Sequence, residues 1–253
     1  MTLTLMRMLD PVVALGRFSI LLARSFRSLG EVRLYGRNIF EQMVKIGIES
    51  IPIVSLAALF SGAVTTMQTA YQLVSPFIPV SVIGAIVVPS IILELGAVVT
   101  GFLLAGRVGA RIAAELGTMR VTEQIDALEA MGLNSIGYLI VPRVIAGVVM
   151  FPVLYISACF VGITGGVAVG HWTGAVPAGE FISGAREFFH AFDAVFGIIK
   201  SLVFGFAITS ISCYKGYYTS GGAEGVGRST TEAAVTSCVY LLLADLLLAS
   251  TLL

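Results

Sequence analysis

Five stretches of this chain are apolar enough and long enough to cross a bilayer: about residues 46–70, 81–105, 138–170, 195–214 and 233–253. A helix needs about 20 such residues to cross the hydrocarbon. Because no water is present there, every backbone polar group must be satisfied within the segment. The expected fold is therefore an all-α integral membrane protein. Composition agrees: 57% of residues are hydrophobic and 12% charged, against roughly 25% charged in an ordinary soluble domain. The third run is too long for one straight span and too short for a hairpin of two. Either Pro152 kinks it, or its Gly-rich end, "GITGGVAVG", projects beyond the bilayer.

Lys and Arg set the expected orientation. Arg7, Arg17, Arg24, Arg27, Arg33, Arg37 and Lys45 precede the first span. Arg107, Arg111, Arg120 and Arg143 flank the connection between spans two and three, and Lys215 and Arg228 flank that between four and five. The connections 71–80 and 171–194 contain only Arg186. The N-terminus is thus expected in the cytoplasm and, after five spans, the C-terminus outside. Residues 1–45 carry charge throughout and show no cleavable signal peptide. Leu15, Phe18, Leu22, Phe26 and Leu29 fall on one helical face there, with Arg17, Arg24 and Arg27 roughly opposite. That pattern predicts a basic amphipathic helix along the inner membrane surface, the alternative being a helix packed only on protein. The division expected is an interfacial region over 1–45 and a transmembrane domain over 46–253.

"GGAEGVGRST", residues 221–230, nearly matches a phosphate-binding loop, with Arg228 where Lys belongs. Such a loop needs a strand before it and a helix after it in a soluble α/β core, whereas this one lies between two spans. Glu224 would also repel phosphate. The stretch is read instead as a tight turn, followed by a capping box in which Ser229 caps the last helix and Glu232 reaches back.

Between spans two and three, "AAELGTMRVTEQIDALEAMGLNS" predicts a short amphipathic helix, with Val121, Ile125 and Leu128 on one stripe, Glu123, Asp126 and Glu129 on other faces, and Gly132 as a stop. A helix meant for anionic lipid would be basic. This one is acidic, which leaves two readings open: a helix docking into a groove on a soluble partner, or a solvated connector.

Few side chains carry candidate chemistry. Cys159, Cys213 and Cys238 sit far apart in apolar runs and read as small core residues, and His171 and His190 lack ligand spacing, so no metal site is expected. A net charge of zero offers nucleic acid no basic field. Glu94 stands near the middle of the second span, where an ionisable group usually faces a cavity or a partner. The alternative is a glutamate that only ties helices together. Lys200 is read as snorkelling outward from span four, or else lining the route; Asp245 is its counter-ion only if their depths match. Ala97, Gly101, Ala105, Gly109, Ala113 and Gly117 form a small-residue ridge, as do Gly162, Gly166 and Gly170. Such ridges let helices approach closely, within one chain or across a dimer.

The segment "LELGAVVTGFLLAGRVGARIAAELGTMRVTEQIDALEAMGLNS" closely resembles the signature region of the MlaE (YrbE) permeases. "IKSLVFG" and "YYTSGGAEGVGRSTTEAAV" resemble that family's fourth-span start and last cytoplasmic loop. The resemblance covers nearly the whole chain and is most specific from Glu94 to Pro142. It implies the permease subunit of an ATP-driven transporter moving phospholipids between the inner and outer membranes of a bacterium. It further implies a homodimer in the inner membrane, joined by a cytoplasmic ABC ATPase and a periplasmic MCE-domain hexamer, often with a STAS-domain subunit. ATP and Mg would belong to the ATPase, with no cofactor in this chain. The helix at about 119–131 becomes the coupling helix, and Glu115, Arg120, Glu123, Gln124, Asp126 and Glu129 the residues serving ATPase coupling. Glu94 is implied beside a lipid pocket at the dimer interface, with Leu93, Leu73, Val74 and Phe77 contributing. Leu93 stands where Arg often precedes the glutamate, leaving one charge fewer for a phosphate head group. Other readings are a membrane-embedded enzyme using Glu94 as acid or base, a passive channel, or a permease for another hydrophobic lipid such as a sterol. Against an enzyme, the spans show no paired catalytic carboxylate and no nucleophile–His pair.

Overall fold

The computed structural model describes residues 2–28, 30, 35–73 and 78–252. Leu29, Val74 and Phe77 lie outside them. Among the described residues every regular element is helical, and five helices are long and apolar enough to cross a membrane: Gly36–Gln72, Val82–Val121, Ser135–Trp172, Ala191–Tyr217 and Gly222–Leu252.

The chain opens with α1 (Thr2–Arg27). Its predicted apolar stripe divides: Leu15 and Phe26 are exposed, while Phe18 and Leu22 are half-buried. The face turned to protein is Phe18, Leu21, Ser25 and Ser28. Leu21, Ser25 and Ser28 are buried, and Phe18 meets Tyr214 edge to face at 5.6 Å. Span one is built from α2 (Gly36–Ile46), a short tight turn over Ile48–Ser50, and α3 (Ile51–Gln72), with Pro52 in the first turn where its missing N–H costs nothing.

Span two is one path of five pieces. α4 (Val82–Ser90) gives way to a wide π-turn at Ile91–Leu95, then come α5 (Gly96–Leu104), a second π-turn at Ala105–Gly109 and α6 (Ala110–Val121). The first π-turn follows Pro89, whose absent N–H interrupts the regular ladder. The expected helix over 119–131 is in fact broken. α6 ends at Val121, Glu123 takes a left-handed φ of 59°, and α7 (Gln124–Ala130) is only seven residues long. Gly132 stops it as expected, at φ 77°. Gly132 N–H donates to the Glu129 carbonyl at 2.9 Å and Leu133 N–H to that of Leu128 at 3.1 Å, which satisfies two otherwise bare carbonyls.

α8 (Ser135–Trp172) runs 38 residues without interruption through Pro142 and Pro152, capped by Asn134, which accepts from Gly137 N–H at 3.2 Å. It is the central helix, packed against α3 on one side and against α10 (Ala191–Tyr217) on the other. The Gly-rich end does not stand free. Gly162, Gly165 and Gly166 lie directly against α3, so that ridge serves packing within the chain. The span-two ridge does likewise: Gly109 faces Ser212 and Ile208 of α10, and Gly117 faces Thr219.

A helix not anticipated from sequence, α9 (Ala178–Glu187), covers α4 with Phe181, which is completely buried among Ile83, Val87 and Val176. The last helix, α11 (Gly222–Leu252), starts seven residues before Ser229, so the expected capping box is not formed. Gly221 and Gly222, at φ 96° and 67°, make the turn between spans four and five. Ser229 lies inside the helix and hydrogen-bonds Thr219 Oγ1 at 2.9 Å, while Glu232 is ion-paired to Lys215 and Arg228.

Candidate functional site

Two centres stand out, one within the spans and one at the end of the bundle where α6, α7 and α8 meet.

The first is a charged triad drawn from spans two, four and five. Lys200 is 0% exposed, and its ammonium donates to Glu94 Oε2 at 2.5 Å and to the Leu93 carbonyl at 3.1 Å. Asp245 Oδ1 faces the same ammonium as a second ion pair. The Phe196 ring lies 5.4 Å away, placing an aromatic face beside the cation. Snorkelling is thereby ruled out for Lys200. α10 starts at Ala191, not near 195, so Lys200 sits about two and a half turns inside the helix. A buried charge persists when it is paired and its donors are used, and here an ion-pair partner lies on each of two neighbouring helices.

The π-turn at Ile91–Leu95 positions this site. It leaves backbone carbonyls without the usual donor, and side chains of other helices supply two of them: Lys200 to Leu93 O, and the Tyr155 hydroxyl to Ile92 O at 2.8 Å. The Glu94 side chain remains 53% exposed while Asp245 is 17% exposed. Glu94 is thus held from inside and open outward, a carboxylate fixed on the rim of the bundle. Leu93 is partly buried beside it, and Leu73 packs against the cluster containing Ile91 and Ile92. No paired catalytic carboxylate is legible in the spans, yet the fold brings Glu94 and Asp245 to one ammonium.

The second centre joins some of the predicted coupling residues and separates another. Arg120 pairs with Asp126 at 2.6 Å, and its guanidinium lies 6.0 Å from the Tyr217 ring centre. Glu129 accepts from Ser135 at 2.7 Å and from Tyr217 at 2.9 Å. The two hydroxyls, Ser135 foremost, hold its carboxyl below the usual carboxylate range. Ile125 anchors α7 and is completely buried, leaving Glu123, Gln124, Met131 and Leu133 exposed. Glu115 lies apart from α7. It pairs with buried Arg143 at 3.2 Å and with Arg111 at 3.1 Å, and Arg111 also reaches Glu49 at 2.6 Å. Arg143 was missed as a structural residue. The available signal was an arginine set beside Pro142 inside an apolar run.

Residues 39–251 match the family model described as Permease MlaE. The chain belongs to the MlaE permease family. A probable ABC transporter permease protein of Rickettsia bellii is 41% identical over 235 residues, covering 93% of this chain and 90% of that one. The intermembrane phospholipid transport system permease protein MlaE of Haemophilus influenzae is 34% identical over 244 residues, 96% of this chain and 93% of the relative. The chloroplastic protein TRIGALACTOSYLDIACYLGLYCEROL 1 of Arabidopsis thaliana is 36% identical over 218 residues, 86% of this chain and 62% of its own. This MlaE-family chain is therefore a multi-span, all-α membrane protein of the ABC transporter permease class.

Proposed function

We propose that this chain is the membrane subunit of an ATP-driven transporter that moves phospholipid between the inner and outer membranes. It works as a homodimer in the inner membrane with its N-terminus in the cytoplasm and its C-terminus in the periplasm. The assembly includes a cytoplasmic ATPase that holds ATP and Mg, a periplasmic MCE-domain hexamer and, where present, a STAS-domain subunit. The relative named for intermembrane phospholipid transport supports this reading, since it aligns with nearly the whole chain. The single observation carrying it is Glu94, anchored from within by Lys200 yet half open at the bundle surface. A carboxylate tethered on one side only is placed to meet a second copy of the chain and the lipid passing between them. α1, with Arg17, Arg24 and Arg27 exposed, lies along the cytoplasmic membrane surface in this arrangement.

Glu94→Trp should block lipid transport while dimer formation and ATPase attachment survive. Glu94→Gln should do less damage, because Asp245 still pairs Lys200. Photo-crosslinking from position 94 in the assembled complex checks the assignment. Lipid adducts are expected, whereas adducts to neighbouring helices alone, with failed assembly of the Trp variant, would make Glu94 structural.

The α7 region is the proposed ATPase contact. Glu123 and Gln124 are free at its surface, and its left-handed entry at Glu123 fixes how it projects. Glu123→Lys with Asp126→Lys should uncouple ATP hydrolysis from lipid movement or detach the ATPase, with the membrane subunit still folded. An intact complex with unchanged transport would reduce α7 to a connector.

A further inference from the structure

A narrow cleft lies between the end of α2 and the start of α6. Its polar lining is Gln42 and Lys45 of α2, Arg107 of the second π-turn, and Arg111 and Glu115 of α6. The apolar residues that complete it, Ile46 and Ile112 among them, are buried and offer no counter-charge. Its interior is about 10 Å³, room for roughly one oxygen-sized group.

The carboxylates at this end of the bundle are already committed. Glu115 gives one oxygen to Arg111 at 3.1 Å and the other to Arg143 at 3.2 Å. Glu49 pairs with Arg111 at 2.6 Å. Lys45 and Arg107 make no ion pair among the described residues. Arg107 donates to the Ser50 hydroxyl at 2.7 Å, and a guanidinium has further N–H groups to offer. The cleft therefore holds two half-buried cations whose charge no neighbouring carboxylate answers.

Their depth indicates what does. The apolar run of span one begins at 46 and that of span two ends at 105. Lys45 and Arg107 thus stand within two residues of those limits, where hydrocarbon gives way to the head-group layer. Three residues beyond Lys45, Ile48 is 55% exposed, and Ile51 follows at 37%. The surface leading away from the cleft into the span is thus apolar, as lipid chains require. Basic pockets between spans at a membrane face suit lipid phosphates.

We propose that this cleft holds the phosphate of an anionic phospholipid. One phosphate oxygen enters between Lys45 and Arg107, with the Gln42 amide as a further donor. The ester chains stay outside, and an acyl chain runs along Ile48 and Ile51. A zwitterionic lipid brings the same phosphate with an ammonium group that cancels part of the attraction. The site shares no residue with the Glu94–Lys200–Asp245 triad. It concerns lipid retained by this chain alone, so its failure would leave the transport reading standing.

The test uses the full chain in nanodiscs of equal phosphatidylglycerol and phosphatidylcholine, released into mild detergent and weighed by native mass spectrometry. Phosphatidylglycerol should be retained over phosphatidylcholine by about tenfold, equivalent to about 1.4 kcal/mol. Gln42→Glu is the decisive variant. It gives Lys45 and Arg107 a carboxylate of their own, so it should fold at least as well while bringing the ratio close to one. Lys45→Ala should lower the ratio severalfold, whereas Arg107→Lys, which keeps the charge, should preserve most of it. Equal retention by the unmodified chain would overturn the proposal and leave the cleft to an acidic segment of a partner protein. A ratio unchanged in both Gln42→Glu and Lys45→Ala would overturn it too, by placing the lipid elsewhere. Excess glycerol 3-phosphate should not displace the lipid; displacement would reveal a site for free phosphate and refute the lipid assignment.

Discussion

Lys200→Met should destabilise the folded chain by about 3–5 kcal/mol, the range for removing one partner of a buried ion pair. Lys200 is completely buried, and its ammonium is the shared partner of Glu94 and Asp245. Met keeps the length and the apolar stem but leaves Asp245, only 17% exposed, beside no cation. The Leu93 carbonyl, freed by the π-turn, also loses its donor. Unfolding equilibria in mixed micelles titrated with dodecyl sulfate would read the loss. Asp245→Asn added to Lys200→Met should recover part of it, since the second change removes the charge that the first left unpaired. Groups in direct contact typically show a coupling of about 0.5–3 kcal/mol in such a cycle, and strict additivity would mean that the ammonium and Asp245 do not interact. Replacing all three groups by neutral isosteres should come nearest to the original stability, because a buried pair contributes little once its desolvation is counted. If transport stays lost in that triple variant, the charges serve the lipid route and not the fold.

The span count was legible because it depends on one quantity, a continuous run of apolar residues, which the chain displays openly. Span ends were less legible, because helices continue past the hydrocarbon where hydropathy no longer marks them. α6 carries span two on to Val121, and α11 begins at Gly222 on a polar turn that read as loop. The misplaced capping box at Ser229 has that origin. Lys200 was misjudged for the same reason: a run starting near 195 puts it close to a span end, while the helix starting at Ala191 carries it further in, where it is completely buried within the bundle. Its pairing with Asp245, 45 residues along the chain, is tertiary information that no local pattern carries. Neither the left-handed Glu123 nor the π-turn after Pro89 had a local signal strong enough to break a helical pattern. Glu94 could be picked out from depth alone, since ionisable groups are rare there. The α7 acids carry no local signal that separates a docking helix from a connector, and only the family resemblance favours the first.

Gly62→Val should abolish the α3–α8 contact, and even Gly62→Ala should cost about 3 kcal/mol or more, at or beyond the upper end of overpacking effects. A Cβ at Gly62 would stand 1.9 Å from the Gly162 carbonyl oxygen, which is backbone of another helix and cannot rotate aside. The contact is reciprocal along the seam: a Cβ at Gly165 would meet the Leu59 carbonyl oxygen at 2.6 Å, and one at Gly166 the Thr66 hydroxyl at 2.6 Å. With no hydrophobic drive between helices in lipid, such close approach is what holds two spans together. Pushing them apart also moves Ile91, which lies 3.6 Å from a Cβ built at Gly162 and opens the π-turn carrying Glu94. Gly101 is the matched control. Its nearest obstacles are the Phe204 ring at 3.1 Å and a Leu241 methyl at 3.3 Å, side-chain atoms with room to shift. Gly101→Ala should therefore cost no more than about 1 kcal/mol, at the mild end of the same range. Thermal unfolding of the purified variants, with the yield of monodisperse protein, separates the two cases. If Gly62→Ala melts with the unmodified chain, or Gly101→Ala proves the more damaging, then the α3–α8 seam is looser than its backbone contacts require.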